Sequence, residues 1–189
     1  MFIQTEATPN PETLKFLPGK TVMPSGVVDF RGADEADGSP LALRLFGVPG
    51  VRGVFLGYDF ISVSKDETPW DHLKPAVLGA IMEHYLSGDP VIEDANAASA
   101  QTESEGEEFD EADAHTVAMI KEILDERVRP AVANDGGDII FRSYRDGIVH
   151  LSMRGACAGC PSSTMTLQMG IQNLLKHFIP EVQEVRPVA

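Results

Sequence analysis

The sequence predicts an α+β protein: two small α+β domains joined by an acidic, flexible linker. Two observations carry that prediction. The first is where the charge lies: residues 1–90 hold 12 acidic and 7 basic side chains, residues 91–114 hold 9 acidic and none basic, and residues 115–189 hold 8 of each. The second is that both flanking regions mix short β-type runs with helical apolar stripes. Between them, residues 91–114 are rich in Glu, Asp, Ala and Ser, with Phe109 as their one aromatic residue. Such a segment buries too little to offset the entropy of ordering it, and its like charges repel. The expected divisions are a domain over 1–90, a linker over 91–114 and a domain over 115–189.

In the first domain, residues 2–8 read as a strand and Pro9-Asn10-Pro11-Glu12 as a turn. Short strands are expected at 14–17, 21–23 and 26–30, then a polar loop over 32–38. Ser39-Pro40 has the form of an N-cap followed by proline at the first helical position, opening a helix over 41–46. Residues 50–56 and 60–64 read as strands joined around Gly57-Tyr58-Asp59. From 68 to 86 a helix should bury Trp70, Leu73, Val77, Ile81 and Tyr85, spaced three and four apart.

In the second domain, residues 115–128 place Val117, Ile120, Leu124 and Val128 on one helical stripe, widened by Met119 and Ile123. Arg127 and Arg129 suit the C-terminal end of that helix, and Pro130 should stop it. Asn134-Asp135-Gly136-Gly137 is a turn and residues 138–144 a strand. Arg145-Asp146-Gly147 reverses the chain, so that 148–153 pairs back as a hairpin. The only two cysteines follow in a loop, Cys157-Ala158-Gly159-Cys160. A helix from Pro161 carries Leu167, Ile171, Leu174, Leu175 and Phe178 and ends at Pro180; residues 182–185 form a short edge strand.

The net charge of −14 argues against nucleic acid as a partner, because phosphate binding needs a basic face. No membrane is expected either: no run approaches the roughly 18 apolar residues of a span, and the start lacks the basic-then-apolar form of a signal peptide. Two cysteines in one C-x-x-C do not make a disulfide framework, so a reducing compartment is expected. That is the cytoplasm, or the mitochondrial matrix for a processed organellar form. No Ser/His/Asp set, paired carboxylates or phosphate-cradling loop stands out, and Gly47, Gly50 and Gly53 lack dinucleotide spacing. A protein that is not an enzyme is expected.

Cys157 and Cys160 supply half of a four-coordinate site. They sit where a loop meets a helix N-terminus, whose free N–H groups and dipole favour thiolate. Ser162, Ser163 and Thr164 can cap the helix or hydrogen-bond sulfur, while Gly155 and Gly159 remove bulk where a cluster or second subunit must come close. From spacing alone three readings stay open. The first is buried thiols or a zinc knuckle, for which the available histidines are His72, His84, His115, His150 and His177. The second is a thioredoxin-like dithiol redox pair. The third is a cluster bridged between two chains, each giving Cys157 and Cys160. Asp135 and Asp138 read as turn and strand-start residues rather than acids, and His150 as a surface or core residue. Met153, Met165 and Met169 read as core filling, with an adaptable surface around a cluster as the alternative, and Trp70 as core of the first domain, with an exposed aromatic that grips clients as the alternative.

Longer motifs add to this. Asn134-Asp135-Gly136-Gly137-Asp138, then Gly155-Ala156-Cys157-Ala158-Gly159-Cys160-Pro161-Ser162-Ser163, then Thr166-Leu167 and Gly170-Ile171 resemble the C-terminal domain of the NifU-like (NFU) iron–sulfur proteins. The opening FIQTEATPNPETLKFLPGK, the segment LFGVPGVRGVFLGYDFISVSK and residues 70–75 resemble the NFU N-terminal domain. The likeness takes in both domains and leaves out only the acidic linker. It implies a scaffold or carrier with one 4Fe–4S cluster per homodimer, bridging the two chains through Cys157 and Cys160 as metal ligands. It also implies an upstream scaffold as donor and apo iron–sulfur client proteins as acceptors. A dithiol redox protein is the alternative.

Overall fold

The computed structural model describes residues 1–93 and 106–188, which fall into two compact units. The first contains strands β1 (Gln4–Ala7), β2 (Thr13–Leu17), β3 (Val28–Phe30), β4 (Val51–Leu56) and β5 (Ile61–Lys65), and helices α1 (Pro40–Phe46) and α2 (Trp70–Ser87). The strands form one antiparallel sheet in the order β1-β2-β5-β4-β3. Because strand side chains alternate, the cross-strand partners Phe16–Ile61, Val54–Val63 and Leu56–Ile61 share a face. That face joins Leu41 and Leu45 of α1 and Leu73, Val77 and Ile81 of α2 in a single core.

The helix signals in this unit take the expected form. Ser39 Oγ accepts from the Ala42 N–H at 3.2 Å, with Pro40 in the first turn of α1. Trp70 only half-fills the core position expected of it; its indole N–H donates to the Pro11 carbonyl at 3.0 Å and ties the proline turn to the start of α2. His84 is fully buried on α2, with neither ring nitrogen hydrogen-bonded among the described residues, and burial lowers its pKa. A histidine so enclosed offers no ligand. Residues 21–23 are not a strand. Val22 and Met23 are buried and bond the Tyr58 and Gly57 carbonyls, but Pro24 has no N–H with which to extend a ladder.

The second unit contains β6 (Glu108–Phe109), β7 (Gly137–Arg145), β8 (Ile148–Gly155) and β9 (Glu184–Val188), in the order β6-β7-β8-β9. β7 and β8 are the expected hairpin; the two outer pairings are parallel. Helices α3 (Ala114–Ile123), α4 (Arg129–Asn134) and α5 (Pro161–Phe178) contribute Val117, Ile120, Val132, Ile171 and Leu175 to a core shared with Ile139, Phe141, Val149 and Leu151. The edge strand β9 is shielded from α5: Gln168 Nε2 donates to the Val185 carbonyl at 2.6 Å, and the Val185 N–H donates to Gln172 Oε1 at 3.1 Å.

Pro130 does not stop the helix. A π-helical turn over Leu124–Val128 connects α3 to α4, and the helical path runs on to Asn134. Proline lacks an N–H and crowds the carbonyl four residues back; a wide turn before it accommodates both defects. Residues 94–105 of the linker expected over 91–114 lie outside the described residues. At its described ends, Val91 and Ile92 pack against the first core, and the Val91 carbonyl accepts from Ser39 Oγ at 2.8 Å. Glu108 and Phe109 pair with Ser143 and Tyr144, and Lys121 Nζ lies 2.7 Å from a Glu107 carboxylate oxygen.

Candidate functional site

The two cysteines lie in the loop between β8 and α5, as expected. The loop is fixed from three sides. The Ala156 N–H donates to the Gly136 carbonyl at 3.2 Å, the Ala158 N–H to the Gly155 carbonyl at 3.1 Å, and Thr164 Oγ1 to the Cys157 carbonyl at 3.0 Å. Cys160 is the N-cap residue of α5, its carbonyl accepting from the Thr164 N–H at 2.9 Å. Gly159 answers a demand of the backbone within the chain. A Cβ there meets nothing within 4 Å, and what calls for glycine is its φ of 81°.

The two thiols have opposite environments. Cys157 is 6% exposed and packs on the second core, whereas Cys160 is partly open to solvent. Burial, with the nearby charges of Asp135 and Asp138, pushes the Cys157 thiol up to about 12. Hydrogen bonding from Ser162 and Ser163 brings Cys160 down to about 7, with Ser162 Oγ at 3.4 Å from its sulfur. Ser163 also bonds the Cys160 carbonyl, at 3.3 Å. Since the thiolate is the nucleophile, alkylation by iodoacetamide should rise with pH through a midpoint near 7 at Cys160 and leave Cys157 unmodified. Peptide mass mapping checks this, and faster reaction at Cys157 contradicts it.

The Asp-Gly-Gly-Asp turn forms the floor under Cys157. A Cβ on Gly137 would lie 2.6 Å from Cys157 Sγ and 2.6 Å from the Arg154 carbonyl oxygen, so the loop closes down only on a residue without a side chain. Gly137→Ala should therefore cost about 1–3 kcal/mol and expose Cys157 to alkylation; unchanged denaturation and an unreactive Cys157 would contradict this contact. Asp138 sits at the start of β7, as expected, and is 4% exposed. Its two oxygens accept from Arg129, Nε to Oδ1 at 2.9 Å and Nη2 to Oδ2 at 2.8 Å. This paired geometry raises the Arg129 pKa and keeps it charged. Asp125, one turn earlier, takes a third guanidinium bond at 3.1 Å. The sequence reading placed Arg129 only as a helix-end charge and missed this pair.

Among the described residues no group of three His, Cys, Asp or Glu is placed to hold a metal ion. His150 is bonded to Ser143 Oγ at 2.9 Å across the hairpin. Met153 is core, at 5% exposure, but Met165 and Met169 are not: they are 62% and 57% exposed. They lie on the exposed side of α5, whereas Ile171 and Leu175 are buried. Phe178 is likewise 41% exposed rather than core, with the Arg127 guanidinium 4.9 Å from its ring centre.

The family described as "Scaffold protein Nfu/NifU N terminal" matches residues 3–88, and the "NifU-like domain" matches residues 120–186. The chain is 50% identical over 188 residues to NifU-like protein 4, mitochondrial, of Arabidopsis thaliana, covering 98% of this chain and 65% of that protein. It is 52% identical over 190 residues to the NFU1 iron-sulfur cluster scaffold homolog, mitochondrial, of Drosophila sechellia, covering 100% of this chain and 65% of that protein. The chain thus spans about 65% of the length of these relatives. A solution structure of a NifU-like protein from Saccharomyces cerevisiae is similar over 49% of this chain and 84% of that one, at 30% identity and a TM-score of 0.44. No helix among the described residues is long and apolar enough to cross a membrane. With one of these matches falling on each compact unit, the chain belongs to the NifU-like (NFU) family, in its two-domain form.

Proposed function

We propose that the protein is an iron–sulfur cluster scaffold and carrier. Two chains, each contributing Cys157 and Cys160, hold one 4Fe–4S cluster between them and release it to apo iron–sulfur proteins. The observation that carries this reading is the incomplete ligand set: two thiols in a solvent-reaching loop, with no third ligand beside them among the described residues. A cluster needing four thiolates then forms at an interface, where an acceptor with four preorganised cysteines can draw it off by ligand exchange. The cluster is cargo, received from an upstream scaffold, and the protein's part is binding and release rather than catalysis. The names of these relatives support the scaffold role and favour a mitochondrial location over the cytoplasm.

Loading replaces each S–H by an S–Fe bond and releases a proton, so it weakens as pH falls. The sign follows from the two thiols. Below the Cys160 value of about 7, two protons leave per chain; above it, only the Cys157 proton does. The dithiol redox reading keeps one point in its favour, the pairing of an exposed low-pKa thiol with a buried one. Anaerobic reconstitution with iron and sulfide, followed by mixing with an apo-protein, separates the two. A carrier gains visible absorbance and passes it on with its iron. A colourless monomer that reduces disulfides would overturn the proposal.

A further inference from the structure

From Pro161 to Leu175, α5 carries no charged residue. Its inner side buries Ile171 and Leu175 and half-buries Leu167 and Leu174. Its outer side exposes Met165 and Met169 to 62% and 57%, and a Cβ at the neighbouring Gly170 would meet nothing within 4 Å. A helix facing only water normally carries charge on its outer face. An uncharged face with two long, adaptable apolar side chains has instead the composition of a contact surface, from which charges are depleted and in which methionine is enriched. This face begins at the cysteines, because Cys160 caps the same helix.

What covers it follows from the site at its head. The C-x-x-C supplies two thiols and no third ligand stands beside them among the described residues, so a second loop must come to the first. Cys160 caps α5, so when two such loops meet the α5 helices of both chains stand at the contact. The face itself brings no charge: Pro161 to Leu175 holds none, so two such faces meet without like charges opposed across them. In a twofold contact the same patch serves both chains, and flexible methionines can pack against their own kind. We infer that the exposed, uncharged face of α5 around Met165 and Met169 is where a second copy of this chain docks, and that docking there is what allows the cluster to form. The inference rests on the bridged-cluster reading and adds the surface through which bridging occurs.

The test uses the full chain with both cysteines kept, in two double variants: Met165→Glu with Met169→Glu, and Met165→Lys with Met169→Lys. Like charges brought together across an interface oppose docking, so each variant alone should bind about tenfold less iron and sulfide than the parent and elute as a monomer. Circular dichroism, thermal midpoint and Cys160 alkylation should not change. Mixed in equal amounts, the two carry opposite charges and should load as a dimer again, which lost folding would not allow. Loading of either variant alone to the parent level, or failure of the mixture to load, overturns the inference. A parent chain that holds a whole cluster as a monomer overturns the bridged reading itself, and the docking face with it.

Discussion

Replacing either Cys157 or Cys160 with serine should leave bound iron at background after anaerobic reconstitution. Serine keeps the shape but stays protonated at neutral pH, and the cluster requires thiolate. The two variants should nevertheless differ in stability. Cys160 lies partly in solvent, so its replacement should change stability by no more than about 0.5 kcal/mol. Cys157 is 6% exposed within the second core, and a hydroxyl there should cost about 1–3 kcal/mol. Equal loss of iron with unequal loss of stability separates ligand removal from unfolding. Retention of the cluster in both variants contradicts the ligand assignment.

The largest expected effect on stability comes from Arg129→Met. Asp138 is 4% exposed and receives both of its charged hydrogen bonds from Arg129. Removing the guanidinium leaves a buried carboxylate without its counter-charge, at about 3–5 kcal/mol. Asp138→Asn should cost less, because Arg129 still reaches Asp125 and solvent; its side chain is 42% exposed in the pair. Urea denaturation followed by circular dichroism checks both. A loss under about 1 kcal/mol in Arg129→Met would mean that the pair does not hold the floor of the cysteine loop.

What could be read from the residues divides by distance along the chain. Ser39-Pro40, the Asp146-Gly147 reversal and the cysteine loop ahead of α5 are written in adjacent residues, and all stand as expected. The passage of the helix through Pro130 was not legible, because proline's stopping rule is local and the π turn that evades it is set by the packing of Leu124, Val128 and Val132. Gly137 could be placed in a turn from its neighbours, but its close approach to Cys157 joins residues twenty positions apart. For Met165 and Met169, the core reading gave the wrong side. Met153 is inside, and Met165 and Met169 are outside, because apolar character says that a residue wants cover and not which chain provides it.

The central claim is that a single chain cannot complete the coordination of its cargo. Native mass spectrometry of the anaerobically reconstituted protein tests it most directly. The expected product is a species with the mass of two chains plus four irons and four sulfides, with no cluster-bearing single chain. A complete cluster on one chain, stable on dilution, would contradict it.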